Sequence, residues 1–576
     1  MQLTIVRGDR QQTLTAKLRR RPVEVIQPEN HDPLSMLLTL QQFDDQRLSN
    51  EDEPKGGKTS EEKEKQRRAF LDRELPGVKL RRANWRLVAS DQTHAEFRRA
   101  VPEKGIEFVK TYRLAKVPDA SQKDSDFPAY HLIFEIEIRN IGDEAHKVAY
   151  RLDGPNGLPT EGKWYASKVS RNWGGAGLRD FVISFGGGTP GMTGATTVAD
   201  GDDLPVRPDT PPDKMLTFIG VDAQYFSAVL MPERENPADV WFEELLPICV
   251  GKVDPEQKQL ANTSCRLIST VRDLKPGEGL RHQFKVFTGP KNPALLEHYG
   301  LGELVYYGWP IFAMVAKPLT AVLHGFYAVF GNYGLAIILL TVLVRACMFP
   351  LSLKQVLGAQ KMQMLQPEIK KLQEKHKNNV EARTKAQQEL FRKHNYNPLS
   401  GCFPIFIQMP IFIGLYRALM VDIALRDAPL ISHSIRWCSN LAAPDMLFNW
   451  SGFMPEFINS GQGIFGLGPY LNLLPMLTIV LFIWQQKMFM PPPADEQAAM
   501  QQKIMKYMMI FMGLLFFKVA SGLCIYFIVS SLWGIGERKV LPKTAPAAGT
   551  EVETRAQAKA QARQAAEQAV AKKKKK

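Results

Sequence analysis

A chain of 576 residues is long enough for several domains. It carries 73 Lys and Arg against 59 Asp and Glu, a formal net charge of +14 that suits anionic lipid or RNA, and Lys572 to Lys576 supply five of these charges. The cysteines at 249, 265, 347, 402, 438 and 524 include no CxxC pair, and the ten histidines form no HExxH, so zinc-ribbon, thioredoxin-like and zincin chemistry has no support.

Residues 1–18 read as two short strands around an Arg-Gly-Asp-Arg turn. A lone hairpin is not stable by itself. Either this one resembles the closing hairpin of a PDZ domain whose earlier strands lie upstream, or it joins the following β domain. No signal peptide or apolar first helix precedes it, so a truncated N-terminus is expected. Residues 1–41 are taken as this hairpin and its extension. The segment 42–74, dense in Glu, Asp and Lys, is expected to be a solvated linker.

From 75 to 300 the pattern is β. In His131–Asn140, Leu132, Phe134, Ile136 and Ile138 fall on one face and Glu135, Glu137 and Arg139 on the other, as in a half-buried strand. Further runs at 108–114, 148–152, 216–221, 225–230 and 282–287, separated by Gly, Pro and Asp, predict a β-sandwich. Ser184 to Thr193 comes close to a P-loop, but Met192 stands where the lysine is required, so a surface loop is expected. Cys249 and Cys265 are open to two readings, a disulfide or two buried thiols.

Beyond Lys291 the composition turns apolar. Residues 306–330, rich in aromatics and interrupted by Lys317, Pro318 and His324, predict a helix lying in a membrane interface. Residues 331–351 predict a transmembrane helix containing one full charge, Arg345, with Thr341 one turn earlier on the same face. A central arginine costs about 2.5–3.5 kcal/mol on insertion scales. It faces protein or water, or it snorkels to the nearby interface. Three further apolar regions predict crossings at 397–420, 470–490, 504–517 and 521–540, the last region divided at Lys518–Gly522.

Ten Lys or Arg lie between Leu351 and Asn397, against Arg426 and Arg436 between Met420 and Tyr470. The positive-inside rule places the first loop and the tail 541–576 in the cytoplasm and the β domain outside. Within the first loop, Leu357, Met364, Leu365, Ile369 and Leu372, then Asn378-Asn379, then Ala382, Ala386 and Leu390 predict a helical hairpin over 352–396. The expected class is therefore an α+β multidomain membrane protein: an extracytoplasmic β-sandwich, then a core at 301–540 with five transmembrane helices and a cytoplasmic helical hairpin.

Gly331-Asn-Tyr-Gly-Leu-Ala-Ile-Ile338, Leu340-Thr-x-Leu-Val-Arg345, Phe349-Pro-Leu351, Lys361-Met-x-x-Leu-Gln-Pro367, Asn397-Pro-Leu-Ser-Gly-Cys-Phe-Pro404 and Gln408-Met-Pro-Ile-Phe412 are very similar to the bacterial YidC membrane insertases. Gly289-Pro-Lys291 and Gln224-Tyr-Phe226 look like that family's extracytoplasmic domain. The resemblance implies a multi-pass inner-membrane protein that inserts nascent membrane proteins and helps them fold, alone or beside the Sec translocon. It implies no cofactor, no ATP and no covalent chemistry. It places Arg345, Thr341 and Gln408 in a hydrated groove, and Met409, Pro410, Phe412 and Phe516 along a client slide. It places Lys361, Met362, Leu365, Gln366 and Pro367 in the cytoplasmic hairpin. Membrane lipids and the ribosome, the latter through the basic tail 546–576, are the remaining expected partners. The chain departs from the family pattern at its missing first helix, at Lys518 and at Phe527. A transporter is the competing class, but neither an inverted repeat nor a pair of broken helices supports it.

Overall fold

The computed structural model describes residues 2–7, 10–15, 34–49, 60–81, 83–118, 121, 127–171, 177–201, 215–236, 239–375, 379–394, 399–463, 465–489 and 496–540. Gln2–Arg7 and Arg10–Thr15 form the expected antiparallel hairpin, from Gln2↔Thr15 to Arg7↔Arg10.

Two sheets share one core. The larger runs, from edge to edge, Gly191–Thr193, Asp180–Phe185, Leu216–Asp222, Phe226–Pro232, Gly279–Pro290, His131–Asn140, Ile106–Leu114, His94–Val101 and Arg86–Ser90. The smaller runs Phe242–Val250, Asn262–Ser269, His146–Asp153, Leu38–Phe43 and Gln46–Arg47, with Arg272–Leu274 also on His146–Asp153. Alternation determines which face is buried: Phe134, Ile136 and Ile138 enter the core, while Glu135 and Glu137 pair outside with Arg113 at 2.8 Å and Arg139 at 2.7 Å. From the other sheet Leu40, Tyr150, Phe242 and Leu267 meet them.

Two findings shift the expected boundaries. Leu38–Phe43 pairs with His146–Asp153, so the sheet domain begins upstream of 75. The charged stretch expected as a linker holds a helix, α1 (Ser60–Leu71), whose last carbonyl accepts from Arg266 Nη2 at 3.1 Å. A cation at a helix C-terminus meets the negative end of the dipole. The near-P-loop is the turn of a hairpin between Asp180–Phe185 and Gly191–Thr193. Cys249 and Cys265 are both buried free thiols, which decides against the disulfide.

Short helices α2 (Ala195–Asp200) and α3 (Pro293–His298) precede the helical half. There α4 (Pro310–Phe330) packs through Ala316, Thr320 and Leu323. α5 (Tyr333–Lys375) continues unbroken through Pro350 and Pro367, joining the crossing expected at 331–351 to the first arm of the hairpin expected from 352. Each proline deletes one N–H donor at a cost of about 3 kcal/mol, which bends a helix without obliging it to end. α6 (Val380–Lys393), capped by Asn379 Oδ1 on Ala382 N at 3.0 Å, folds back so that Leu390 meets Leu365 and Ile369. α7 (Leu399–Val421), the short α8 (Glu456–Asn459), α9 (Leu473–Phe489), α10 (Glu496–Phe516) and α11 (Ser521–Val540) complete the chain. Gly414 permits α7 to approach α4; a Cβ there lies 2.8 Å from the Val315 side chain.

Among the described residues, two helical segments are long and apolar enough to cross a membrane, Pro310–Phe330 and Tyr333–Leu353. Gln408–Val421, Leu473–Met488 and Ser521–Glu537 are shorter apolar helices. The first of the two long segments is the one expected to lie in the interface.

The sheet domain meets one end of the helices. Gln224 Nε2 donates to Met420 O at 2.6 Å, and Arg426 pairs with Glu161 at 2.7 Å. Trp164 sits against Gly461 and Gly468, where a Cβ falls within 2.5 Å of it. Both glycines have positive φ, +68 and +89, so the loop there needs glycine twice over.

Candidate functional site

Arg345 emerges from the middle of the apolar part of α5, toward α11. Its Nε donates to Ser530 Oγ at 2.8 Å, and its Nη2 contacts the same hydroxyl. Among the described residues no carboxylate lies within ion-pair distance of it. A guanidinium with five donors therefore meets one neutral acceptor. Thr341, one turn away, is buried, but its hydroxyl donates to Ile337 O at 2.7 Å within its own helix. It contributes shape to this wall rather than a donor.

The opposite strip of α11 is polar at a four-residue spacing. Tyr526, Ser530 and Gly534 follow one face, and Gly534 leaves room for Gln485 of α9, whose amide nitrogen lies 2.9 Å from where a Cβ would stand. Near the far end of α11, Glu537 comes within electrostatic reach of Arg345 and next to Ser352. Its carboxylate also lies beside the indole of Trp533.

An aromatic cluster adjoins this strip. Phe412 of α7, Phe482 of α9 and Phe516 of α10 all converge on Phe527, with ring centroids 5.8, 5.6 and 5.3 Å away. The structure thus brings two expected slide residues, Phe412 and Phe516, onto one ring. Met409 stands 49% exposed on α7, with Gln408 and Pro410 partly buried beside it, and none of the three takes part in these ring contacts. In the hairpin, Leu365 is buried against Leu390 and Pro367 is exposed. Lys361, Met362 and Gln366 lie on α5, but their side chains fall outside the described residues.

Ser530 and Glu537 escaped the sequence reading. Their signal was local: a Ser530-Ser531 pair, and an acid where the apolar run of α11 gives way to Arg538 and Lys539. Phe527, one of the departures from the family pattern, is the ring on which the aromatic cluster is centred.

Comparison with known proteins now places this arrangement. Residues 325–548 match the family model described as 60Kd inner membrane protein, and residues 148–322 match that of the YidC periplasmic domain. Together they define a membrane-protein class with an apolar helical half and a periplasmic domain that is mostly sheet. The chain belongs to the YidC family. It is 34% identical over 337 residues to the membrane protein insertase YidC of Pelobacter propionicus, covering 58% of this chain and 55% of that one. It is 34% identical over 277 residues to that of Geobacter sulfurreducens, covering 48% and 46%. The chain thus spans about half the length of these curated relatives. A crystal structure of an active YidC insertase with its first transmembrane domain resolved aligns at a TM-score of 0.30 and 18% identity, over 78% of this chain and 76% of that one.

Proposed function

We propose that this chain is a membrane protein insertase of the bacterial inner membrane. It would accept nascent membrane proteins into a hydrated groove containing Arg345, alone or beside the Sec translocon, and would need no cofactor or ATP. In this reading the first half of α5 with α7, α9, α10 and α11 forms five crossings, α4 lies in the interface, and α5–α6 projects into the cytoplasm as a hairpin that receives clients. The sheet domain is periplasmic and the C-terminus cytoplasmic.

The observation that carries the reading is a guanidinium with no carboxylate at ion-pair distance among the described residues, Glu537 acting on it only from farther off. A guanidinium held by one serine hydroxyl in an apolar bundle is costly unless water or a passing anion attends it. Acidic residues in a client's leading tail would be drawn to Arg345, and the client's apolar helix would then leave for lipid. Burial at about 25 cal/mol per Å² drives that last step. Phe412, Phe482 and Phe516, partly buried around the buried Phe527, offer apolar edges suited to weak, unspecific contact.

Reconstitution tests the proposal. Purified full chain in liposomes is expected to insert a short single-span client without nucleotide and without releasing a trapped small solute. Release of the solute with no client inserted favours a channel or transporter and rejects the insertase reading.

A further inference from the structure

Where the sheet domain meets the helix ends, a cavity of about 760 Å³ opens. That volume is in the range of small-molecule sites. Trp164 and Tyr165 form its wall on the sheet-domain side, and Tyr416, Met420 and Leu515, at the ends of α7 and α10, line the other.

Its charges are unbalanced. Glu161 is paired with Arg426, and Lys258 with Asp200. Lys163 and Lys518 remain, against one exposed acid, Glu256. Among the described residues neither lysine has a carboxylate within ion-pair distance. Lys518 Nζ donates to Gly461 O at 2.6 Å and keeps two further protons. Burial lowers its pKa, so an anion nearby would relieve an unfavourable charge. This is the residue that makes the outer end of the last helix pair unusually polar.

The cavity rim adjoins an exposed apolar surface. Gly461–Gly463 belongs to the stretch 446–470, which has Glu456 as its single charge. Phe453, Phe457 and Phe465 of that stretch are 67%, 63% and 65% exposed. Exposed phenylalanines beside the ends of apolar helices suit the headgroup boundary of a bilayer.

We infer that this cavity is a phospholipid site, in which Lys163 and Lys518 hold the phosphate of an anionic lipid and the apolar wall of Tyr416, Met420 and Leu515 takes the start of its acyl chains. The inference requires that the helices sit in a bilayer and does not depend on client insertion. Lysine supplies the point charge that a phosphate needs, and a planar guanidinium at 518 preserves it.

The test uses the full chain in detergent, loaded with phosphatidylglycerol and followed by native mass spectrometry. Retention of the lipid is expected to fall about fivefold in Lys163→Ala, an exposed position where folding is not at stake, and further in Lys163→Ala/Lys518→Ala. Lys518→Arg is expected to retain it. Diacylglycerol, which lacks the phosphate, is expected to bind poorly, and free glycerol phosphate is expected not to displace the lipid. Equal retention by the double variant overturns the site. Equal binding of diacylglycerol removes the phosphate assignment, and displacement by glycerol phosphate removes the lipid assignment. Membrane insertion activity is not part of the readout, so failure here leaves the insertase reading to its own test.

Discussion

Arg345 of α5 and Ser530 of α11, 185 positions apart, meet in the middle of the apolar helices, where Nε donates to the serine hydroxyl at 2.8 Å and Nη2 contacts the same oxygen. The serine orients the guanidinium without neutralising it. A carboxylate there would have quenched the charge; a hydroxyl leaves it available to an incoming anion.

Removing that charge is expected to be selective. Arg345→Ala should fold and reach the membrane, yet slow insertion of clients with acidic leading tails by roughly tenfold, the equivalent of about 1.4 kcal/mol. Clients with neutral tails should be little affected. Arg345→Lys should keep most of the activity, because the site needs charge more than a bidentate fork. Ser530→Ala should cost less than Arg345→Ala on the same clients. Initial insertion rates in proteoliposomes, compared across tail charge, decide this, and equal rates for the alanine variant and the parent on acidic tails remove the role given to Arg345.

The α5–α6 hairpin is held by a small apolar contact, Leu390 on Leu365 and Ile369. Leu390→Ala should cost roughly 2–3 kcal/mol locally and loosen the return of α6 without disturbing the crossings. Amide exchange should rise within 380–393 and insertion should fall while membrane levels hold. Full activity with a loosened α6 reduces the hairpin to a spacer.

The sheet domain should sense acid through His282. It is buried, stacked on Trp241 at 4.0 Å, and its Nδ1 lies 2.6 Å from the Tyr150 hydroxyl. Burial pushes its pKa down to about 3, with Arg272 and Arg234 adding to the effect. Between about pH 6.5 and 3 the unfolded chain therefore binds more protons than the folded one, so stability falls as pH drops through that window. The loss is at most about 1.4 kcal/mol per pH unit, or roughly 2 kcal/mol from pH 7 to 5. His282→Asn keeps an acceptor for Tyr150 and cannot titrate. Its stability at pH 7 should be lower, but its drop between pH 7 and 5, measured by denaturant unfolding, should be smaller than the parent's. An unchanged drop assigns the acid response to other groups.

How much of this was legible in the sequence follows from distance along the chain. The alternation in His131–Asn140 is encoded residue by residue, and so are the charge of Arg345 and the break at Lys518–Gly522. Leu38–Phe43 was missed because its partner strand lies more than a hundred positions away and charged residues follow it at once. α5 runs past the crossing's end drawn at Leu351 because that boundary marks only where the apolar run gives way to a polar one, and the backbone stays helical to Lys375. Glu161 on Arg426, 265 positions apart, leaves no local trace at all, and with it the cavity between the sheet domain and the helix ends stays invisible to periodicity.

The tail gives the last prediction, and it lies outside the described residues. Residues 555–576 carry Arg555, Lys559, Arg563 and Lys572 to Lys576 against one acid, Glu567. Alanine and glutamine between them allow a helix once an anionic surface screens the repulsion. On the cytoplasmic side proposed for it, ribosomal RNA and anionic lipid are the two large polyanions, and both bind such a tail by a salt-sensitive, sequence-independent mechanism. An insertase that works during translation gains from holding the ribosome near its groove, which favours RNA. Co-sedimentation of the full chain with ribosomes should be lost on deleting residues 546–576 and should fall steeply between about 50 and 200 mM salt. If the deletion leaves ribosome binding intact, or if the tail peptide binds anionic vesicles and not ribosomes, the ribosome is not its partner.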